Sequence, residues 1–132
     1  MTLDAYVDAA TFDLSADHEA RQVTPTDRPW KVADLGPFSL LDVSVTCNAD
    51  RRELCLAVVN RSPNEDVPTR IDLGPHLLIR DVRAYEVNGA DTSVHNSFAQ
   101  PHAVSVQTRR LHAASEYTFP AHSVTLLRGQ TS

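Results

Sequence analysis

The sequence predicts an all-β fold: a single antiparallel β-sandwich of jelly-roll type, with seven to nine short strands. Three observations carry that reading. Apolar and polar residues alternate with period two in several short runs, as in strands with one buried face. Turn-forming residues interrupt those runs at regular intervals, as in sandwiches. No stretch sustains a helical period.

Taken in order, Asp4–Phe12 is rich in aromatic and β-branched residues and reads as a first strand, with blurred alternation. A polar loop falls within 13–40. Its first part holds Asp17, His18, Glu19, Arg21, Asp27 and Arg28 together with Pro25 and Pro29, and a short helical turn at Ser15 is the lesser alternative there. Trp30–Phe38 reads as an extended connector, because Gly36-Pro37 bars a helix. A central hairpin follows. Leu41, Val43, Val45 and Cys47 alternate with Asp42, Ser44 and Thr46. Asn48–Arg52 supplies a turn whose Asn and Asp bond locally to the backbone. Leu54–Val59 is continuously apolar, which suggests a strand buried on both faces in the middle of the sandwich.

Beyond the hairpin, Arg61–Asp66 is a turn and Thr69–Leu73 a short strand stopped by Gly74-Pro75. Leu77–Val87 is a strand region ended by the turn Asn88-Gly89. Ala90–Pro101 is an irregular excursion, kept so by Asn96, Gln100 and Pro101. Val104–Thr108, Glu116–Phe119 and Ser123–Arg128 are the last three strands, and Gly129–Ser132 is expected to fray. With no internal repeat, low-complexity segment or boundary signal, one domain is expected over 1–132.

A chain of 132 residues buries about two-thirds of its unfolded surface. Twelve basic against 17 acidic side chains give a formal charge of −5, with no basic stripe and interleaved aromatics to attract nucleic acid. No window approaches the ~20 apolar residues of a membrane span. Met1–Tyr6 has no basic and then apolar region of a signal peptide, so a cytoplasmic location is expected. The two cysteines allow one disulfide at most. Strand parity opposes it: Cys47 falls beside Leu54 on the core face, and Cys55 points to the other face. Two free thiols are expected.

Several pieces of sequence agree, in order, with one known family. They are Val32–Phe38 (Val-Ala-Asp-Leu-Gly-Pro-Phe), Leu41–Thr46 (Leu-Asp-Val-Ser-Val-Thr) and Leu56–Pro63 (Leu-Ala-Val-Val-Asn-Arg-Ser-Pro). Tyr85–Gly89, Asn96-Ser-Phe with Pro101 and Val104, and Pro120–Leu127 (Pro-Ala-His-Ser-Val-Thr-Leu-Leu) follow. Together they resemble the C-terminal domain of the α-L-arabinofuranosidases of glycoside hydrolase family 51, over about Asp4 to Arg128. The resemblance implies a β-sandwich appended to a catalytic (β/α)8 barrel that this chain does not contain. The whole enzyme removes terminal arabinofuranosyl groups from arabinose-containing oligosaccharides with retention, which places the chain in arabinose metabolism. By the same resemblance the chain is a non-catalytic accessory domain, inactive alone, that braces the barrel. A free-standing carbohydrate-binding module is the alternative. In the family a strand from the enzyme's own N-terminus commonly joins the sandwich. Without it, a sheet edge and a barrel-facing apolar patch are expected to lie open and to promote self-association.

The residues themselves offer no catalytic set. Glycoside hydrolysis needs two carboxylates across the sugar, one of them protonated. The family carries both glutamates on the barrel, the acid directly after an Asn. Asn64-Glu65 mimics that pair, but it sits in a polar turn beside Asp66, with nothing apolar to hold a proton on it. Glu53, Glu86 and Glu116 alternate with apolar neighbours and read as solvent-facing. The six histidines, at 18, 76, 95, 102, 112 and 122, form no zinc motif. His95 and His102 flank one loop and could meet, but without a third partner they read as surface residues. His122 is expected to pack or bond at the mouth of the last strand. No nucleophile elbow and no glycine-rich phosphate loop occurs. No cofactor or metal is therefore expected. Among the aromatics Trp30 stands out: it follows Pro29 in a connector, and tryptophan is enriched at interfaces. It is the candidate contact with a partner domain, ahead of a core role or a sugar contact.

Overall fold

The computed structural model describes residues 1–3, 5–12, 37–75 and 78–132. Ten strands lie among them: β1 (Thr2–Leu3), β2 (Thr11–Phe12), β3 (Phe38–Ser39), β4 (Leu41–Cys47), β5 (Glu53–Asn60), β6 (Val67–Arg70), β7 (Ile79–Asn88), β8 (Ser105–Ala113), β9 (Glu116–Phe119) and β10 (Val124–Thr131). The chain divides into two compact units, Val7–Leu40 and the remainder, Met1–Tyr6 with Leu41–Ser132. In the smaller unit β2 and β3 pair antiparallel, and the Leu40 N–H donates to the Ala10 carbonyl at 2.8 Å.

The larger unit holds a six-stranded antiparallel sheet in the order β1-β4-β5-β10-β7-β8, and a two-stranded sheet of β6 and β9. All-β architecture follows directly from the alternation. In β4, Leu41, Val45 and Cys47 are buried while Asp42, Ser44 and Thr46 are exposed. In β5, Leu54, Leu56, Val58 and Asn60 are buried. The hairpin register sets Val45 opposite Leu56 and Cys47 opposite Leu54, as strand parity requires. Cys47 is buried, Cys55 lies half-buried on the opposite face, and both thiols are free. The turn is held as its composition suggests: the Glu53 N–H donates to Asn48 Oδ1 at 3.0 Å and the Arg52 N–H to Asp50 Oδ1 at 3.3 Å.

One face of the large sheet is the core. Leu56 stands opposite Leu127 and Leu127 opposite Ala84, and all three are buried. Tyr117 and Phe119 of β9 are buried too, their ring centroids 4.9 Å apart.

Four expectations need correction. Strand β5 is not buried on both faces: Cys55 and Ala57 are half-buried and Val59 is exposed, so its apolar run covers one core face and one open face. The Asp4–Phe12 stretch is not one strand; only Thr11 and Phe12 pair within it, and residues 5–10 are irregular. The short strand before Gly74 spans Val67–Arg70 rather than Thr69–Leu73, because Pro68 is accommodated in a two-stranded sheet. The tail does not fray, since Gly129, Gln130 and Thr131 complete β10.

Candidate functional site

Two of the pieces of sequence that carry the resemblance, Leu56–Pro63 and Pro120–Leu127, meet at one node. Asn60 ends β5 at 1% exposure, and its side-chain amide reaches three carbonyl oxygens, those of Glu65 (2.9 Å), Phe119 (3.0 Å) and Pro120 (2.9 Å). Its Oδ1 accepts from the Ser62 N–H at 2.9 Å. The buried Asn60 amide thus substitutes for water on backbone that a turn would otherwise leave unpaired. Around it the Glu65 N–H donates to Ser62 Oγ, the Ala121 N–H to Asp66 Oδ1, the His122 N–H to the Ser62 carbonyl and Ser123 Oγ to the Pro120 carbonyl. His122 has a positive φ of 45°, and its ring nitrogens lie 2.9 Å from the Pro63 carbonyl and 3.2 Å from the Gly89 carbonyl. The Asn-Arg-Ser-Pro and Pro-Ala-His-Ser pieces are therefore the two halves of a single stitch between the β5–β6 and β9–β10 turns. His122 thus bonds at the mouth of the last strand, as its sequence setting suggests.

Glu65 belongs to this stitch through its backbone alone. Its carboxylate is exposed in the turn, the setting of a solvated acid. His95, His102 and His112 are exposed; His18 and His76 lie outside the described residues, as does Trp30. Among the described residues no group of three or more His, Cys, Asp or Glu is arranged to hold a metal ion. Nor is any helix among them long and apolar enough to cross a membrane.

A second polar node joins the two sheets of the larger unit, and no sequence signal points to it. Arg109 of β8 donates to the Tyr117 hydroxyl at 2.7 Å, and Tyr117 donates to Glu86 Oε2 of β7 at 3.1 Å. Arg109 also pairs with Glu86 at 3.4 Å and stacks over the Tyr117 ring, 4.9 Å from its centroid. Burial pushes the Tyr117 phenol up from its ordinary value, against the pull of Arg109. The bond to Tyr117 raises the Arg109 guanidinium in turn. This node orients side chains between layers. Neither node sets two carboxylates around a cavity, and their chemistry is that of fastening.

No protein-family model matches the chain, and no curated protein does. The fold, however, recurs in solved enzymes. The family 51 α-L-arabinofuranosidase AbfB of Bifidobacterium longum matches over 92% of this chain and 21% of its own length, with a TM-score of 0.63 and 23% identity. The GH51 arabinofuranosidase of Xanthomonas axonopodis pv. citri matches over 72% of this chain and 20% of its own, with a TM-score of 0.59 and 20% identity. For the α-L-arabinofuranosidase of Thermotoga maritima the shares are 74% and 22%, with a TM-score of 0.58 and 21% identity. The chain thus spans about a fifth of the length of the solved proteins it matches. Its fold is the fold of one region of those arabinofuranosidases.

Proposed function

We propose that this chain is the non-catalytic C-terminal accessory sandwich of an α-L-arabinofuranosidase, a domain that braces a catalytic (β/α)8 barrel which it does not itself contain. One observation carries the reading: the same fold makes up about a fifth of several solved arabinofuranosidases, so four-fifths of each lies outside the match. The two fastening nodes support it, since their hydrogen bonds tie turns and strands of the sandwich to one another. On this reading the chain works, through its barrel, in removing terminal arabinofuranosyl groups from arabinose-containing oligosaccharides in the cytoplasm. The whole of 1–132 belongs to the appended domain, and Trp30 is a contact residue for the barrel. The isolated chain, in which β8 lies at an edge of the large sheet among the described residues, self-associates at high concentration.

The test is an assay of the purified chain on an aryl arabinofuranoside beside its Glu65→Gln variant. No turnover is expected from either. A retaining mechanism needs a protonated acid and a second carboxylate about 5–5.5 Å away, and Glu65 stands in an exposed turn. Turnover by the native chain that disappears in Glu65→Gln would make that turn an active site and end the accessory reading.

A further inference from the structure

The outer face of the six-stranded sheet, away from Leu56 and Leu127, is split into an apolar end and a basic end. Strand register places Val59, Val124, Val87 and Val106 in one row across β5, β10, β7 and β8. Three of these valines are exposed, Val59 at 37%, Val124 at 50% and Val106 at 59%. The next row is Ala57, Leu126, Tyr85 and Thr108. The row after that is Cys55, Arg128, Arg83 and Arg110. Three arginines side by side on neighbouring strands repel one another. Glu53 neutralises Arg128 at 2.7 Å, whereas Arg83 and Arg110 have no ion pair among the described residues. A chain with net charge −5 thus gathers cations next to a valine row with three exposed members.

We infer that this face docks a folded domain joined to the chain, whose contact surface is apolar and bordered by carboxylates that meet Arg83 and Arg110. The inference rests on the accessory-domain reading and names the face that reading requires. Three arguments select this occupant. The charge is complementary to carboxylates. With strands about 4.8 Å apart and same-face residues about 7 Å apart, four strands by three rows cover roughly 400 Å². That is about half of what each partner of a stable free complex buries. Counted over both partners it is roughly 800 Å², within the range of contacts between domains of one chain, where tethering supplies the missing affinity. A second copy of the chain, held by no tether and carrying the same cations, is thereby disfavoured. Finally, the three rows hold one aromatic, Tyr85. A single tyrosine is not the aromatic platform that stacking on sugars needs.

Cys55 is a built-in reporter, because it lies in the arginine row while Cys47 is buried. The experiment replaces the matching region of the Bifidobacterium longum arabinofuranosidase with this chain. It follows maleimide labelling of the Cys55 peptide by mass spectrometry, in the chimera and in the isolated chain. Labelling should fall about tenfold in the chimera, equivalent to about 1.4 kcal/mol of protection. Val124→Asp and, independently, Arg83→Glu should restore it without shifting the melting point of the isolated chain. A chimera that melts as one unit yet labels Cys55 as fast as the isolated chain would overturn the docking face and leave the accessory reading intact. Two independent melting transitions would remove the accessory reading, and this inference with it. Protection of Cys55 in the isolated chain that grows with its concentration would assign the face to a second copy. Protection by phosphatidylserine vesicles would assign it to a membrane. Either result would overturn the inference.

Discussion

Two polar residues on the core face of the large sheet show how opposite the consequences of a buried polar atom are. Asn60 satisfies four backbone groups, on both sides of a stitch between two turns. Asn60→Asp keeps the shape but removes the donor, and sets a carboxylate against three carbonyl oxygens. It should cost about 3 kcal/mol or more, read as a fall in the denaturant midpoint with unchanged slope. Thr125 is the reverse case. It is 0% exposed, and its hydroxyl has no hydrogen-bond partner among the described residues. Thr125→Val exchanges an unpaired hydroxyl for a methyl of similar shape and should raise stability by about 1 kcal/mol. A lowered midpoint in Thr125→Val would mean that the hydroxyl is satisfied after all. Neither role was legible in the sequence. Asn60 ends an apolar run like many strand-ending asparagines, and two of its partners, Phe119 and Pro120, stand some sixty residues further on.

At the scale of the element, period-two alternation made most strands legible. Glu116–Phe119 has the bounds read from sequence, and the central hairpin has the expected register. Leu56→Ala should accordingly cost about 2–5 kcal/mol, since Leu56 is buried within that hairpin. The reading failed where tertiary contact overrides local composition. Gly129 belongs to a glycine-bearing polar tail that looked frayed, yet it sits where β10 crosses an irregularity in β7 between Arg83 and Arg80. Asp81, at that irregularity, has a φ of 50°. A Cβ on Gly129 would lie 2.7 Å from the Arg80 carbonyl oxygen and closer still to Ile79 Cγ2. The bulge and the glycine fit each other, and only the fold brings them together. Gly129→Ala should therefore destabilise by about 1–3 kcal/mol through overpacking. A Gly129→Ala variant as stable as the native chain would show that β10 is free to move away at this point.

At the scale of the whole larger unit, the two sheets are held together by apolar packing and by the Glu86–Tyr117–Arg109 node, and the node makes the tie sensitive to alkali. The folded Tyr117 phenol has a pKa raised above its ordinary 10.0, with burial as the main cause. A group whose folded pKa is raised contributes stability that is fully present below its unfolded pKa. That contribution declines as pH rises from the unfolded value through the folded one, because the unfolded chain ionises first. Tyr117→Phe abolishes this titration along with the hydroxyl's two hydrogen bonds. The native chain should melt higher than Tyr117→Phe, by a constant margin between about pH 7 and 9, where the phenol is protonated in both states. The margin should then narrow as pH climbs past about 10. Other tyrosines and the basic side chains titrate in both proteins and cancel in the difference, so the narrowing belongs to Tyr117. A margin that stayed flat to high pH would mean that the phenol ionises as easily in the folded chain as in the unfolded one, with Arg109 offsetting the burial. A margin that widened would mean that Arg109 holds the phenolate in the fold, and that the bond between the sheets strengthens, rather than fails, when Tyr117 loses its proton.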